Sequence, residues 1–199
     1  MYALVTDNEI TKLISYPKSM VIGDVQYPAK IFQLWSTSEL EAIGIYEVVF
    51  DNSNFKDEKW YINTNQSFAF ADGTVTASYG TATPKEHVDR NGTDKDGVEL
   101  NPVVVIEGLK TNLIRDLKTN VANELAKTDW YITRNTEKSV AIPSAISTHR
   151  DLVRTTQASI EAQITGALDT AALETLHTYT EDADGVQSRP LGELPVLES

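Results

Sequence analysis

Chemistry in this chain would have to come from a short inventory of side chains. The three histidines, His87, His149 and His177, stand far apart, with neither a His-x-His nor an HExxH pairing to hold a metal. Each reads as a surface or interface residue. There is no Cys, so disulfides and thiolate metal sites are excluded. No GxSxG elbow, GxxxxGK[ST] loop or GxGxxG loop occurs, which leaves hydrolase and nucleotide chemistry without a motif. The stretch Asp89 to Gly97, DRNGTDKDG, imitates a calcium loop, but Asp94 stands where Gly is needed and Leu100 where a bidentate Glu belongs. Asn91-Gly92-Thr93 matches a glycosylation sequon with nothing secretory beside it. A glycan hydrolase would need two carboxylates facing each other, and nothing indicates which acids converge. The sequence therefore assigns no catalytic, cofactor-binding or metal-binding residue, and the chain reads as a non-enzymatic protein.

The aromatic residues are the other candidates. Trp35, Trp60, Tyr61, Trp130 and Tyr131 could present a carbohydrate or partner surface, since Trp and Tyr give large contact area at low entropic cost. Each also lies where one segment meets the next, which favours packing. Trp130 follows a helical stripe and is expected to cover the open end of a two-helix corner, with Arg134 and Arg150 pairing with Asp129, Glu137 or Asp151.

The elements that hold these residues follow from composition and periodicity. The chain has 199 residues, 41% of them apolar, enough for a core without staples. With 29 acidic and 17 basic residues the net charge is −12, which disfavours nucleic acid as a partner. Apolar runs of four or five residues are too short for membrane insertion, and MYALVTDNEI lacks the marks of a signal peptide. A soluble chain made in the cytoplasm is expected.

MYALV and ITKLI flank Thr6 to Glu9 as a hairpin. Val21 to Trp35 is expected to be extended, interrupted at Pro28. A short helix capped near Ser36 stops at Gly44, and the strand IYEVVF follows. Residues 59–82 read as a meander turning at Asp72-Gly73. Ile106, Leu109, Leu113, Leu117, Val121 and Leu125 predict a helix over 104–127. After a polar loop, Pro143 opens a second helix through Ile146, Val153 and Ile160, with Leu152 and Ile164 beside them. His149, Thr156 and Gln163 make that stripe mixed, which suits a neighbouring subunit or a wet seam. A short helix near Ala171 to His177 and an extended or disordered tail from Thr180 complete the chain, with no internal repeat. The expected fold class is α+β: a β-rich antiparallel domain (1–84), an acidic linker or loop (85–102), a helical hairpin region (103–178) and an extended tail (179–199).

The segment ELAKTDWYITRNTEKSVAIPSAISTHRDLVR resembles part of the bacteriophage tail-fibre assembly and small tail structural protein families. There a helix ends in L-x-x-T-D-W and an I/V-P opens a second helix carrying Y/H-R-x-x-L/V-R. The matching positions are Leu125, Thr128, Asp129, Trp130, Arg134, Glu137, Ile142, Pro143, His149, Arg150 and Arg154. The N-terminal MYALV and SYPKS, and GTVTASYGTATPKEHVD upstream of the helices, are similar to segments of the same proteins. His149 replaces the usual Tyr, the acidic stretch 89–101 lengthens the linker, and the chain beyond about residue 165 has no counterpart. The resemblance implies a structural component of a virion tail, at a fibre or baseplate. Its partners would be other phage tail or fibre proteins, and it would form a homo-oligomer such as a trimer. Two alternatives stay open, a tail-fibre assembly chaperone absent from the mature particle and a carbohydrate-binding module built on Trp35, Trp60 and Tyr61.

Overall fold

The computed structural model describes residues 1–197 and is mixed α and β. The chain divides into two compact units, Met1–Thr83 and Pro84–Ser199.

In the first unit, strands β1 (Tyr2–Thr6), β2 (Glu9–Ile14), β5 (Ile45–Asp51), β7 (Gln66–Ala71) and β8 (Thr74–Tyr79) form a curled five-stranded sheet in the order β2-β1-β5-β8-β7. The two tight turns are dictated locally. Asp7 and Asn8 both adopt positive φ between β1 and β2, and Asp72 and Gly73 do so between β7 and β8, the backbone that two-residue hairpins require. Alternation then separates two cores. Ala3, Val5, Val48, Val75 and Ala77 are buried on one face. Ile14 and Ile45 join Met20, Ile31, Phe32 and Leu40 on the other, with Tyr2 and Leu4 against them.

The layer over this second face departs from the expected extended segment. Strands β3 (Met20–Ile22) and β4 (Val25–Tyr27) make a small hairpin turning at Gly23, and Pro28 leads into the one-turn helix α1 (Ile31–Leu34). Burial of Ile31 and Phe32 in the core overrides the extended tendency of this stretch. Helix α2 (Thr37–Glu41) begins as its sequence dictates. The Ser36 amide donates to Glu39 Oε2 (2.8 Å) and the Glu39 amide to Ser36 Oγ (3.4 Å), a reciprocal cap. It ends before Gly44, whose φ of +81° and whose approach to the Val5 carbonyl both exclude a side chain.

Two further expectations are corrected. The sheet is not wholly antiparallel, because β5 and β8 run parallel, Val48 opposite Val75. Nor do residues 59–82 form one meander, since β6 (Tyr61–Ile62) lies outside the five-stranded sheet. Trp60 beside it is buried at 3% exposure, so a glycan platform cannot use its ring. Trp35 packs edge-on against Tyr27, centroids 5.8 Å apart, and Tyr61 is half-buried.

The second unit begins at Pro84, the second residue of β9 (Thr83–Pro84). Residues 85–102 belong to it, with strands β10 (Arg90–Asn91) and β11 (Val105–Ile106) paired antiparallel. Ile106 is therefore in a strand and exposed, and helix α3 spans Leu109–Ala126. Helices α4 (Asp129–Lys138), α5 (Ser144–Gly166) and α6 (Thr170–His177) follow, then the hairpin β12 (Thr180–Glu181) and β13 (Gln187–Ser188). Helix α3 packs along α5, burying Leu117 and Val121 from one and Ile146, Val153, Ile160 and Ile164 from the other. Leu152, expected beside this stripe, is exposed, whereas Thr156 and Gln163 are half-buried.

The C-terminal segment is folded back on its own unit over the described residues. Leu191 is buried, its amide donates to the Leu176 carbonyl (3.0 Å), and Arg189 pairs with Glu193. The last two residues of the expected tail lie outside the described ones. Local hydrogen bonding thus orders a stretch whose composition alone reads as disordered.

A short repeat also escaped the sequence reading. Asp94-Lys95-Asp96-Gly97-Val98 and Asp182-Ala183-Asp184-Gly185-Val186 form the same turn. In each, the first Asp Oδ1 accepts from the amides two and four residues on, all at 2.9 Å. The first Asp amide donates to the Val carbonyl, and the Gly has φ near +80° (Gly97 81°, Gly185 79°).

Candidate functional site

Leu125, Thr128, Asp129 and Arg150 meet where α3, α4 and α5 join. Helix α3 closes with the Thr128 amide and Oγ1 both donating to the Leu125 carbonyl at 3.0 Å. Thr128 is 1% exposed, so its hydroxyl must be satisfied within the protein. The group that meets it is the buried guanidinium of Arg150, from the second turn of α5. Its Nη1 donates to the Leu125 carbonyl (2.8 Å) and to Thr128 Oγ1 (2.6 Å), and it pairs with Asp129 Oδ1 at 2.8 Å. One cation therefore neutralises the carbonyl end of α3 and holds the acid in the first turn of α4. Of the pairings expected for Arg134 and Arg150 with Asp129, Glu137 or Asp151, that of Arg150 with Asp129 is present.

A second polar cluster lies one residue away on the same helices. His149, expected at a surface or interface, is buried, and its Nε2 sits 3.2 Å from Glu124 Oε1 on α3. The mixed polarity of α5 is thus matched at His149 within one copy of the chain. Glu124 also receives the Lys127 ammonium and the Leu197 amide (3.3 Å). The Lys127 hydrogen bond, the Leu197 amide, the Lys127 charge and His149 hold its carboxyl below the usual 4.5, against burial, which pushes it up. A carboxyl with a lowered native pKa binds protons more readily in the unfolded chain. Its stabilisation is complete above pH about 4.5 and is lost as pH falls through the lower native value. Thermal midpoints followed by circular dichroism from pH 7 to pH 3 should therefore fall less steeply for Glu124→Gln than for the native chain. Parallel curves would show that Glu124 contributes nothing to acid sensitivity.

The segment after Asp129 departs most from expectation. The polar residues read as a loop form helix α4, which has no buried residue and ends at Ser139 in the left-handed conformation. Trp130 does not cover the corner, because Arg150 and Thr128 occupy that interior. It is 51% exposed. The half-buried Tyr131 stacks on it with centroids 3.8 Å apart, and the Arg134 guanidinium lies 5.9 Å from its ring centre and, among the described residues, pairs with no acid. Between α4 and α5 is a groove of about 160 Å³ lined by Ile132, Ile142, Ser147, Arg150, Asp151 and Arg154.

The remaining candidates have local roles. Asp89 Oδ1 accepts from the Gly108 amide and Thr111 Oγ1, both at 2.7 Å, and the Asn91 amide group bonds Glu99. With Asp94 committed to its own turn, the resemblance of this stretch to a calcium loop is accounted for by backbone capping. The half-buried His87 accepts from the Lys110 amide through its carbonyl, and His177 Nδ1 lies 2.8 Å from the Leu173 carbonyl. Among the described residues no three His, Asp or Glu stand close enough to hold a metal, and no helix is long and apolar enough to cross a membrane. No protein-family model, curated protein or solved structure matches the chain.

Proposed function

We propose that this protein is a structural component of a bacteriophage virion tail, joined to a fibre or baseplate through protein docking and without enzymatic activity. In this reading the β-rich unit is the folded body. The α3–α5 hairpin carries the contact surface, and the C-terminal segment braces it. The observation that supports it is the corner: Thr128, Asp129 and Arg150, which carry the resemblance, rigidly hold an α4 that leaves Trp130 exposed. A surface aromatic on a fixed support is suited to binding another protein. The proposal includes other tail or fibre proteins as partners and a homo-oligomer, a trimer among its forms, assembled in the host cytoplasm. Mass spectrometry of purified particles should detect the chain in stoichiometric amount, and light scattering should give a defined oligomer. Absence from particles, with capture of a fibre protein before assembly, would favour a transient assembly chaperone instead.

A further inference from the structure

The C-terminal segment is fastened at two places with little between them. At its base Leu191 is buried, Arg189 donates to Glu193 through Nε (2.7 Å) and Nη2 (2.8 Å), and the Tyr179 hydroxyl donates to the same carboxylate. Beyond Glu193, Leu194, Pro195 and Leu197 are half-buried and Val196 is 71% exposed, so none of the four belongs to the core. Among the described residues, the one hydrogen bond made by this stretch runs from the Leu197 amide to Glu124 Oε1 on α3 (3.3 Å). Four residues thus span the distance from an ion pair to a single main-chain bond.

The acceptor of that bond is a charged group in a confined place. Glu124 and His149 are both buried, and Glu124 Oε1 faces the His149 Nε2 of α5 (3.2 Å) as well as the Leu197 amide. Lys127 holds Oε2 from α3 itself, and the next charges along the corner, Asp129 and Arg150, are engaged with each other. One carboxylate therefore joins α3, α5 and the C-terminal segment. An ionised carboxylate accepts an amide roughly twice as strongly as a neutral oxygen does, so the ionisation of Glu124 sets the strength of the seat.

We infer that residues 194–197 are a strap which the ionised Glu124 latches to the α3–α5 seam, and that neutralising this carboxylate frees the strap while the helices stay folded. Linkage fixes the direction. Glu124 lies below its ordinary range chiefly through the Lys127 hydrogen bond, and the Leu197 amide adds to the lowering. Release removes that donor and raises the affinity of the carboxyl for a proton, so protonation in turn favours release. The strap is seated at neutral pH and is lost as pH falls through the lowered native value. The helices persist because their seam is packed by Leu117, Val121, Val153 and Ile160.

The test uses the full chain, whose lack of Cys lets Val196→Cys carry a single nitroxide on the strap. Its electron paramagnetic resonance line shape separates seated from mobile label, and at pH 7 the label should be predominantly seated. Glu124→Gln keeps the shape and removes the charge, whereas Leu197→Pro removes the amide donor. Each should raise the ratio of mobile to seated label on the order of fivefold at pH 7. Combined, they should do no more than the larger of the two, because they break one bond. Between pH 7 and pH 3 the strap should mobilise in the parent and in Glu193→Gln, and Glu124→Gln should show no such transition. A nitroxide at Leu152→Cys, exposed on α5, should keep its line shape until circular dichroism reports loss of helix. A mobile strap label in the parent at pH 7, or unchanged spectra in both single variants, would overturn the inference. So would additive effects in the double variant, strap and α5 labels mobilising together, or an acid transition that survives Glu124→Gln and vanishes in Glu193→Gln.

Discussion

Replacing Arg150 with Ala should destabilise the second unit by about 2 kcal/mol, lowering its thermal midpoint on the order of 10 °C. The substitution does not remove one contact. It leaves the Leu125 carbonyl and the buried Thr128 hydroxyl without their shared donor, and it leaves Asp129 without its counter-charge at the start of α4. Exposure of Asp129 limits the electrostatic part of the cost, and the Leu125 carbonyl keeps the Thr128 amide and hydroxyl as donors, so loss of the buried Arg150 side chain and of its bond to Thr128 Oγ1 dominates. Two companions separate these contributions. Arg150→Lys keeps the charge and three N–H donors, but its shorter side chain does not reach the place that Arg150 Nη1 occupies beside all three acceptors, so it should recover only part of the loss. Thr128→Val keeps the shape and removes the hydroxyl, which should cost about 1 kcal/mol. Proteolysis should then cut first within residues 129–142, because α4 loses its anchor before the α3–α5 core opens. A melting curve for Arg150→Ala within 2 °C of the native one, a limit set at about 0.5 kcal/mol, would show that the staple is dispensable.

Gly108→Ala should be at least as damaging, for a different reason. Gly108 precedes α3 with an ordinary φ of −83°, so its backbone would accept alanine. The obstacle is room. A Cβ there would lie 2.4 Å from the carbonyl carbon and oxygen of Val88 and 2.7 Å from its amide nitrogen. Backbone cannot swing aside as a flexible side chain can, so the 88–89 segment ahead of β10 must separate from α3. The Gly108 amide would then lose Asp89. We expect a cost of about 3 kcal/mol or more, read by chemical denaturation. Gly97→Ala is the contrasting control. It has a φ of +81° but nothing within 4 Å of the added carbon, so it should cost only about 1 kcal/mol through backbone strain. Equal costs at the two positions would refute the distinction between crowding and dihedral strain.

What was legible in the sequence was local. Asp7-Asn8 and Asp72-Gly73 announce their hairpins because few other residue pairs tolerate two consecutive positive φ values. Ser36 and Glu39 mark the start of α2 through a cap that needs only four residues. The stripe through Leu117 and Val121 located α3 because one face of that helix is buried. What was missed was either long-range or silent in hydrophobicity. The parallel pairing of β5 with β8 joins residues separated by two intervening strands, and no short pattern records it. Helix α4 buries nothing, so it has no stripe to detect. At the site, the place of Arg150 beside the corner allowed an ion pair with Asp129, Glu137 or Asp151 to be anticipated, and Asp129 is the partner found. That Arg150 would also fill the corner and displace Trp130 was not, because this depends on where α3 ends to within one residue.

The paired Asp-x-Asp-Gly-Val turns bear on how the second unit is made as well as how it stands. Each closes within five residues through side-chain and main-chain bonds of its own, and hairpins of this size form on a timescale of about 1–10 μs. One precedes α3 and the other follows α6. The helices are therefore bracketed by two locally closed turns, which restrict the flanking segments and leave the loop between α3 and α5 to be closed by the helices themselves. Unfolding should run in the reverse order, with the helical seam opening while both turns persist as residual structure in the denatured ensemble.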